Sequence, residues 1–347
     1  MSSITENQAA WIITEKTTMK VGPAPMVEPG EGEVLIEVAY AAVNPADWKI
    51  QDYAPFPLPY PFVFGTDVAG TITKVGGGVA RFSIGQRVIA HCDSLLTQKP
   101  ERSGYQRFTV CREILVAAVP DNIPLANAAV LPLSISTAST GLFKHLKIPF
   151  PTLDPKPTGK TILIWGGSSS CGASAIQLAV AGGVTVITTA SPRNFDLVKS
   201  LGATQTFDHN SPTVGADILK VMKKGDLVFD CISSDTTQVT SAEIVHQLGG
   251  GKLAVLLSPN PSLYEDVEVA MGTFHFLNGL DPGLVDLDIG DAVWRNYIPA
   301  ALAAGKFQAK PDPEVLEGGL DKVQDGIDML RKGVSARKVV IEISKHA

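Results

Sequence analysis

The segment Gly166-Gly167-Ser168-Ser169-Ser170-Cys171-Gly172 follows the apolar run Thr161-Ile162-Leu163-Ile164-Trp165 and opens a helical pattern rich in Ala175, Ile176, Leu178 and Ala179. Small residues at a strand-to-helix turn let backbone N–H groups and a helix N-terminus close on an anion, such as the pyrophosphate of a dinucleotide. GxGxxG spacing counted back from Gly172 asks for glycine at 167, 169 and 172. Gly167 and Gly172 fit; Ser169 does not. An ordinary turn with a serine N-cap is the alternative. The strand before and the helix after favour the dinucleotide, with Gly167, Ser168, Ser169, Ser170, Cys171 and Gly172 as candidate cofactor-binding residues.

The end of the next strand bears on which dinucleotide. An NAD site carries Asp or Glu there, on the ribose 2′-OH. The stretch Thr188 to Asn194 has no carboxylate. Ser191 and Arg193 stand in its place, and a guanidinium holds a 2′-phosphate through charge-assisted hydrogen bonds. The pattern predicts NADPH. A solvated first-turn arginine is the alternative. His209, just past a further strand, is a candidate to border the adenosine. Cys231 and Leu257 follow two more strands at the sheet's carboxyl edge, where open α/β sheets bind ligands. The backbone at Leu257 is a candidate for the nicotinamide carboxamide.

The elements that must position these residues alternate. Strands are expected at 161–165, 184–189, 204–208, 226–230 and 252–257, with helices between, which predicts a doubly wound parallel sheet. The first third reads differently. Short strands at 32–40, 68–75, 85–90 and 104–110 with Gly and Pro punctuation suggest a small, partly open barrel. After about residue 290, helices at 291–304 and 320–330 precede a terminal strand at 338–343. That strand is detached from the parallel run and available to the first domain.

Composition bounds the rest. The 347 residues predict two domains, and 45% apolar content can bury a large core. A net charge of −6 gives no global attraction to nucleic acid or anionic lipid. Four scattered cysteines, Cys92, Cys111, Cys171 and Cys231, form no CxxC ribbon and read as reduced thiols. No basic and apolar leader occupies the polar N-terminus, and no run of 18 apolar residues occurs, so a cytoplasmic protein without a membrane span is expected.

Several motifs, in order along nearly the whole chain, resemble the medium-chain dehydrogenase/reductase superfamily. They are Val43-Asn44-Pro45-Ala46-Asp47-Trp48-Lys49, Gly65-Thr66-Asp67-Val68-Ala69-Gly70, Leu131 to Ala138, the phosphate loop, Ser191 to Phe195, and Ala336-Arg337-Lys338-Val339-Val340. The zinc-free quinone reductase and enoyl reductase branch is most similar, fungal trans-acting enoyl reductases among it. The resemblance implies an α/β protein: a discontinuous GroES-like catalytic barrel (1–132 and 291–347) with an inserted Rossmann domain (133–290) that binds NADPH. It implies hydride transfer to an enone or enoyl thioester. A quinone reductase, or a catalytically silent NADPH-binding partner, is the alternative. Zinc relatives use a Cys and a His where Asn44 and Thr66 stand, so no metal is expected. Lys49 and Asn44 become catalytic candidates. Lys49 is also a candidate for the nicotinamide ribose, and Thr137 and Lys338 for the cofactor. The segment Tyr53 to Phe62 and Phe274-His275-Phe276 are candidates to line the substrate site. The resemblance also implies a carrier-bound substrate, a polyketide synthase as partner, and a monomer or homodimer. Lys252 to Leu257 is a candidate edge strand for a two-fold.

Overall fold

Alternating apolar residues in Glu33–Ala42 and Asp67–Val75 face a common core, and the two strands pair antiparallel with two register shifts. They are central in a seven-stranded sheet of the computed structural model, which describes residues 6–260, 264–271 and 287–344. The described chain divides into two compact units. One takes the residues up to 133, with 287–303 and those from 312 onward. The other takes 134–271 with 304–311.

In the first unit the sheet runs Asp312–Leu316, Arg337–Glu342, Glu33–Ala42, Asp67–Val75, Arg87–His91, Val116–Ala118. The strand Phe108–Arg112 pairs with Glu33–Ala42 off that path. The C-terminal strand therefore returns to the N-terminal barrel, with Val340 opposite Ala42. A three-stranded sheet built on Asn7–Ile12 completes the unit. Ile36, Val68, Ile72, Val88 and Ile341 share one buried apolar cluster with Phe62 and Tyr105. Burying such side chains contributes about 1.5–3 kcal/mol each before the entropy of ordering is set against it.

The second unit is a six-stranded parallel sheet in the order Gln205–Asp208, Thr185–Ala190, Thr161–Trp165, Leu227–Asp230, Gly251–Val255, Val267–Met271. The order reverses around Thr161–Trp165, the switch point of a doubly wound sheet. One expectation is corrected here. The strand near Lys252 is interior, since Gly251–Val255 pairs with Val267–Met271, which is the edge among the described residues. Residues 304–311 also lie with this unit rather than the barrel. Gln308 N–H donates to Gln177 Oε1 at 2.7 Å and its carbonyl accepts from Gln177 Nε2 at 3.2 Å.

The helical run Leu125–His145 is long and apolar enough by composition to cross a membrane, and 67% of its apolar window is buried inside the protein. Phe274-His275-Phe276 lies outside the described residues.

Candidate functional site

The phosphate loop is built by glycines with no room for a side chain. Gly166 has φ +80°, which suits the tight turn out of the strand. A Cβ on Gly172 would lie 2.3 Å from the Gly166 carbonyl oxygen, so only glycine allows this approach of helix and strand. Ser169 is the N-cap of the helix Ser170–Ala181, its Oγ accepting from Gly172 N–H at 3.1 Å. The turn glycines are thus Gly166 and Gly167, and Ser169, which breaks the GxGxxG spacing, caps the helix. Thr189, which sequence reasoning passed over, accepts from Gly166 N–H through its Oγ1 at 2.9 Å, and its carbonyl accepts from Gly167 N–H at 2.9 Å. A twelve-residue helix aimed at this loop, with backbone N–H groups at its start, fits the pyrophosphate of a nicotinamide dinucleotide.

Several predicted neighbours of that loop come together. Ser191 Oγ is 3.1 Å from His209 Nε2. Asn194 Nδ2 donates to Ser168 Oγ at 3.4 Å, tying the loop to the turn Pro192–Asn194 on which the exposed Arg193 lies. Serine, arginine, asparagine and histidine, with no carboxylate at the end of Thr185–Ala190, make a cluster suited to a phosphate.

On the carboxyl edge of the sheet, Asp230 is the organising group. Its Oδ1 accepts from the N–H groups of Ile232 and Ser233 at 2.9 and 2.8 Å, and its Oδ2 from Thr237 Oγ1 at 2.6 Å. Burial pushes its carboxyl above the usual range, against these hydrogen bonds. Ser233 adopts φ +58°, a strained conformation held by this network. Gln238, also missed from sequence, donates to the carbonyls of Ser233 and Ser258 at 3.0 and 3.1 Å and accepts from Asn260 N–H at 3.0 Å. It clamps the loop holding Cys231 to the loop holding Leu257. Leu257 is exposed, Cys231 is buried, and Thr137 is buried on the helix Pro132–Ser139.

In the barrel unit, Asn44, Thr66, Asp67 and Lys338 converge. Asn44 Nδ2 donates to Thr66 Oγ1 at 3.0 Å and to Asp67 Oδ2 at 2.9 Å, while its Oδ1 accepts from Lys338 Nζ. The Lys338 ammonium is also 3.1 Å from Asp67 Oδ2, and Asp67 Oδ1 accepts from Leu133 N–H at 2.6 Å. Both ends of the Asn44 amide are thus engaged within the barrel. Lys338 is 4% exposed and is held by this cluster. Beside it, Asp47 Oδ2 accepts from Tyr105 OH and from Asn44 N–H, both at 2.7 Å, while its Oδ1 has no hydrogen-bond partner among the described residues. Burial pushes the Asp47 carboxyl up to about 6.

This donor set does not fit zinc. An ammonium occupies the centre of the cluster, and Asn and Thr are poor ligands for the metal. No group of three His, Cys, Asp or Glu side chains is placed to hold a metal among the described residues. Cys92 and Cys111, distant in sequence, are neighbours in space with sulfurs 3.7 Å apart.

Lys49, on the helix Pro45–Tyr53, has no hydrogen bond to that cluster among the described residues. It is half-buried, with its Nζ 5.7 Å from the centre of the Trp48 ring, and burial lowers its pKa. Trp48 meets Tyr53 edge to face, with ring centres 6.1 Å apart.

Comparison with known proteins agrees with these features. Residues 30–121 match the family described as alcohol dehydrogenase GroES-like domain, and residues 171–258 the family described as zinc-binding dehydrogenase. The trans-enoyl reductase himH of Aspergillus japonicus is 59% identical over 340 residues, covering 98% of each chain. Among solved structures, an alcohol dehydrogenase superfamily protein of Novosphingobium aromaticivorans superposes with TM-score 0.80 at 22% identity, over 97% of this chain and all of the other. The CurK enoyl reductase superposes with TM-score 0.73 at 22% identity, over 97% and 99%.

Proposed function

Because the chain belongs to the medium-chain dehydrogenase/reductase superfamily, in the branch that holds fungal trans-enoyl reductases, we propose that it is a zinc-free NADPH-dependent reductase of activated C=C bonds. The chain is an oxidoreductase, and its family uses a nicotinamide cofactor. The observation that carries the choice of NADPH is the cluster of Ser191, Arg193, Asn194 and His209 in place of a carboxylate.

When bound, the cofactor supplies hydride to the β-carbon of an enoyl thioester or enone. The protein's own residues then have three tasks. The helix Ser170–Ala181 and the loop before it bind the pyrophosphate. Gln238 and Asp230 fix the loops at the sheet's carboxyl edge. Lys49 offers an ammonium to the enolate oxygen. No carboxylate pairs with Lys49 among the described residues, so its charge is available to an anion that develops during reaction. Its lowered pKa also makes it a better proton donor.

Zinc independence is supported by the buried Lys338 ammonium, a fixed cation that leaves no vacancy for another. The himH relative is named a trans-enoyl reductase, and by analogy we propose an enoyl chain as the substrate here; a thioester carrier on a polyketide synthase and a cytoplasmic location belong to the same proposal.

The test is a spectrophotometric assay of NADPH and NADH oxidation with a 2-enoyl pantetheine thioester and, separately, a benzoquinone. Turnover of the thioester with NADPH supports the proposal. Turnover of the quinone alone makes it a quinone reductase, and binding without turnover makes it a silent partner.

A further inference from the structure

Cys92 and Cys111 are 19 positions apart in sequence, yet their sulfurs meet at 3.7 Å. Both residues are buried, 1% and 2% exposed. Cys92 follows the strand Arg87–His91, and Cys111 lies in Phe108–Arg112. The fold holds them side by side. The residues that follow them, Asp93 and Arg112, are joined as an ion pair. Cys92 N–H donates to the Thr66 carbonyl at 2.8 Å, and Cys111 is in register with Val34 of the strand Glu33–Ala42. Thr109 Oγ1 lies 3.9 Å from the Cys92 sulfur.

We propose that Cys92 and Cys111 are a thiol modification site, that a hydroperoxide joins them as a disulfide, and that the bond staples the barrel. In the first step one sulfur attacks the peroxide. The O–O bond breaks, water or an alcohol leaves with the thiol's proton, and a sulfenic acid forms. The second sulfur then attacks the first, the S–O bond breaks, and the hydroxyl leaves with the second thiol's proton as water. Two thiols lose two electrons, and one hydroperoxide is reduced. The sulfurs stand at 3.7 Å and a disulfide holds them at about 2.05 Å, so the bond has only that gap to close.

Burial decides when the reaction occurs. It pushes the Cys92 thiol up, and the thiolate is the nucleophile, so the closed barrel protects the pair. Between Cys92 and the strand that holds Cys111, the chain forms a four-residue helix, Ser94–Thr97, and a three-residue one, Pro100–Arg102. Such short elements open at a lower free energy than the core strands of a sheet, and opening of this segment admits the peroxide. Once the bond has formed, the segment is a closed loop in the unfolded chain as well. The unfolded state loses freedom while the folded state keeps the neighbours it already had, so the barrel gains stability.

The experiment treats the full chain with hydrogen peroxide, in buffer and in urea below the unfolding transition. Remaining thiols are alkylated, and peptides are mapped by mass spectrometry without reduction. Tm is measured on the untreated chain, on the oxidised chain, and after dithiothreitol in the same urea. The expected results are a Cys92–Cys111 cross-linked peptide that forms several-fold faster in urea, and a Tm raised by about 5 °C or more and returned by dithiothreitol. Cys111→Ser, and Cys92→Ser where it folds, gain no Tm from the peroxide. Both thiols intact after treatment in urea, or either one oxidised to the sulfinic acid or linked to Cys171 or Cys231 instead, overturns the modification site. Equal rates with and without urea overturn the role of opening. A cross-linked chain with unchanged or lower Tm overturns the staple.

Discussion

The Lys338 ammonium lies 3.1 Å from the Asp67 carboxylate, and Asn44 binds both. Lys338 comes from the last strand and Asp67 from the start of a strand near the N-terminus, so this pair fastens the two ends of the barrel. Removing one partner of a buried pair strands the other charge, at a cost of about 3–5 kcal/mol. Lys338→Met is therefore expected to lower the stability of the barrel in urea denaturation by roughly that amount. Lys338→Met combined with Asp67→Asn removes both charges of the pair and should recover part of the loss. Equal or greater loss in the double variant would show that the pair is not coupled.

Asp47 and His91 give the barrel opposing responses to pH. The Asp47 carboxyl is raised from 3.8 to about 6, chiefly by burial. The folded state holds its proton more tightly than the unfolded state, so this group adds stability as pH falls through 6 towards 3.8. At pH 8 its ionised form costs up to about 3 kcal/mol. His91 is lowered from 6.5 to about 3 by burial and by the neighbouring Arg112. Its contribution is intact above pH 6.5 and is lost as pH falls from there towards 3. Asp47→Asn should raise Tm at pH 8 relative to the parent, with the advantage shrinking by pH 5. An advantage of the same size at both values would count against an ionised Asp47.

The proposed use of NADPH puts Arg193 on the 2′-phosphate. Hydrogen bonds to a charged group are worth about 1.5–3 kcal/mol, or roughly 10- to 100-fold in an equilibrium. Arg193→Ala should raise KM for NADPH by about that factor and leave KM for NADH within about twofold. Equal effects on both cofactors would remove Arg193 from the phosphate.

Gln238 acts through the backbone of two loops and is a positioning residue. Gln238→Met keeps the volume but deprives the Ser233 and Ser258 carbonyls and Asn260 N–H of these partners. Unpaired buried groups cost about 1–3 kcal/mol each. The variant should bind NADPH several-fold more weakly, with Gln238→Glu intermediate because it can still accept from Asn260 N–H. A merely structural role would lower Tm and leave Kd unchanged.

Much of the parallel sheet is legible in the sequence because its strands are apolar runs bounded by turn residues. Thr161–Trp165 has the expected limits. Val267–Met271 is not legible, since Glu268 interrupts a short run and no Gly or Pro marks its start. The register of the phosphate loop was ambiguous for a local reason. Two adjacent glycines precede three serines, and only the backbone shows that Gly166 takes the positive φ. The barrel cluster was beyond reach of spacing, because Asn44 and Lys338 are 294 residues apart. The nearness of Cys92 and Cys111 is hidden likewise, because the folding of the barrel and not sequence distance brings them together. Gln238 carried no signal, since a glutamine in a helix resembles any surface polar residue until its burial is known.

The central claim is hydride delivery to a double bond, and isotope transfer tests it most directly. The protein is incubated with NADPH deuterated at the C4 position of the nicotinamide, on either face in turn, and a 2-enoyl thioester. The product is examined by mass spectrometry and NMR. The account predicts one deuterium at the β-carbon of a saturated thioester, from one face only, with one NADPH consumed per product. Deuterium at the carbonyl carbon of an aldehyde or alcohol, or cofactor oxidation with the double bond intact, would contradict it.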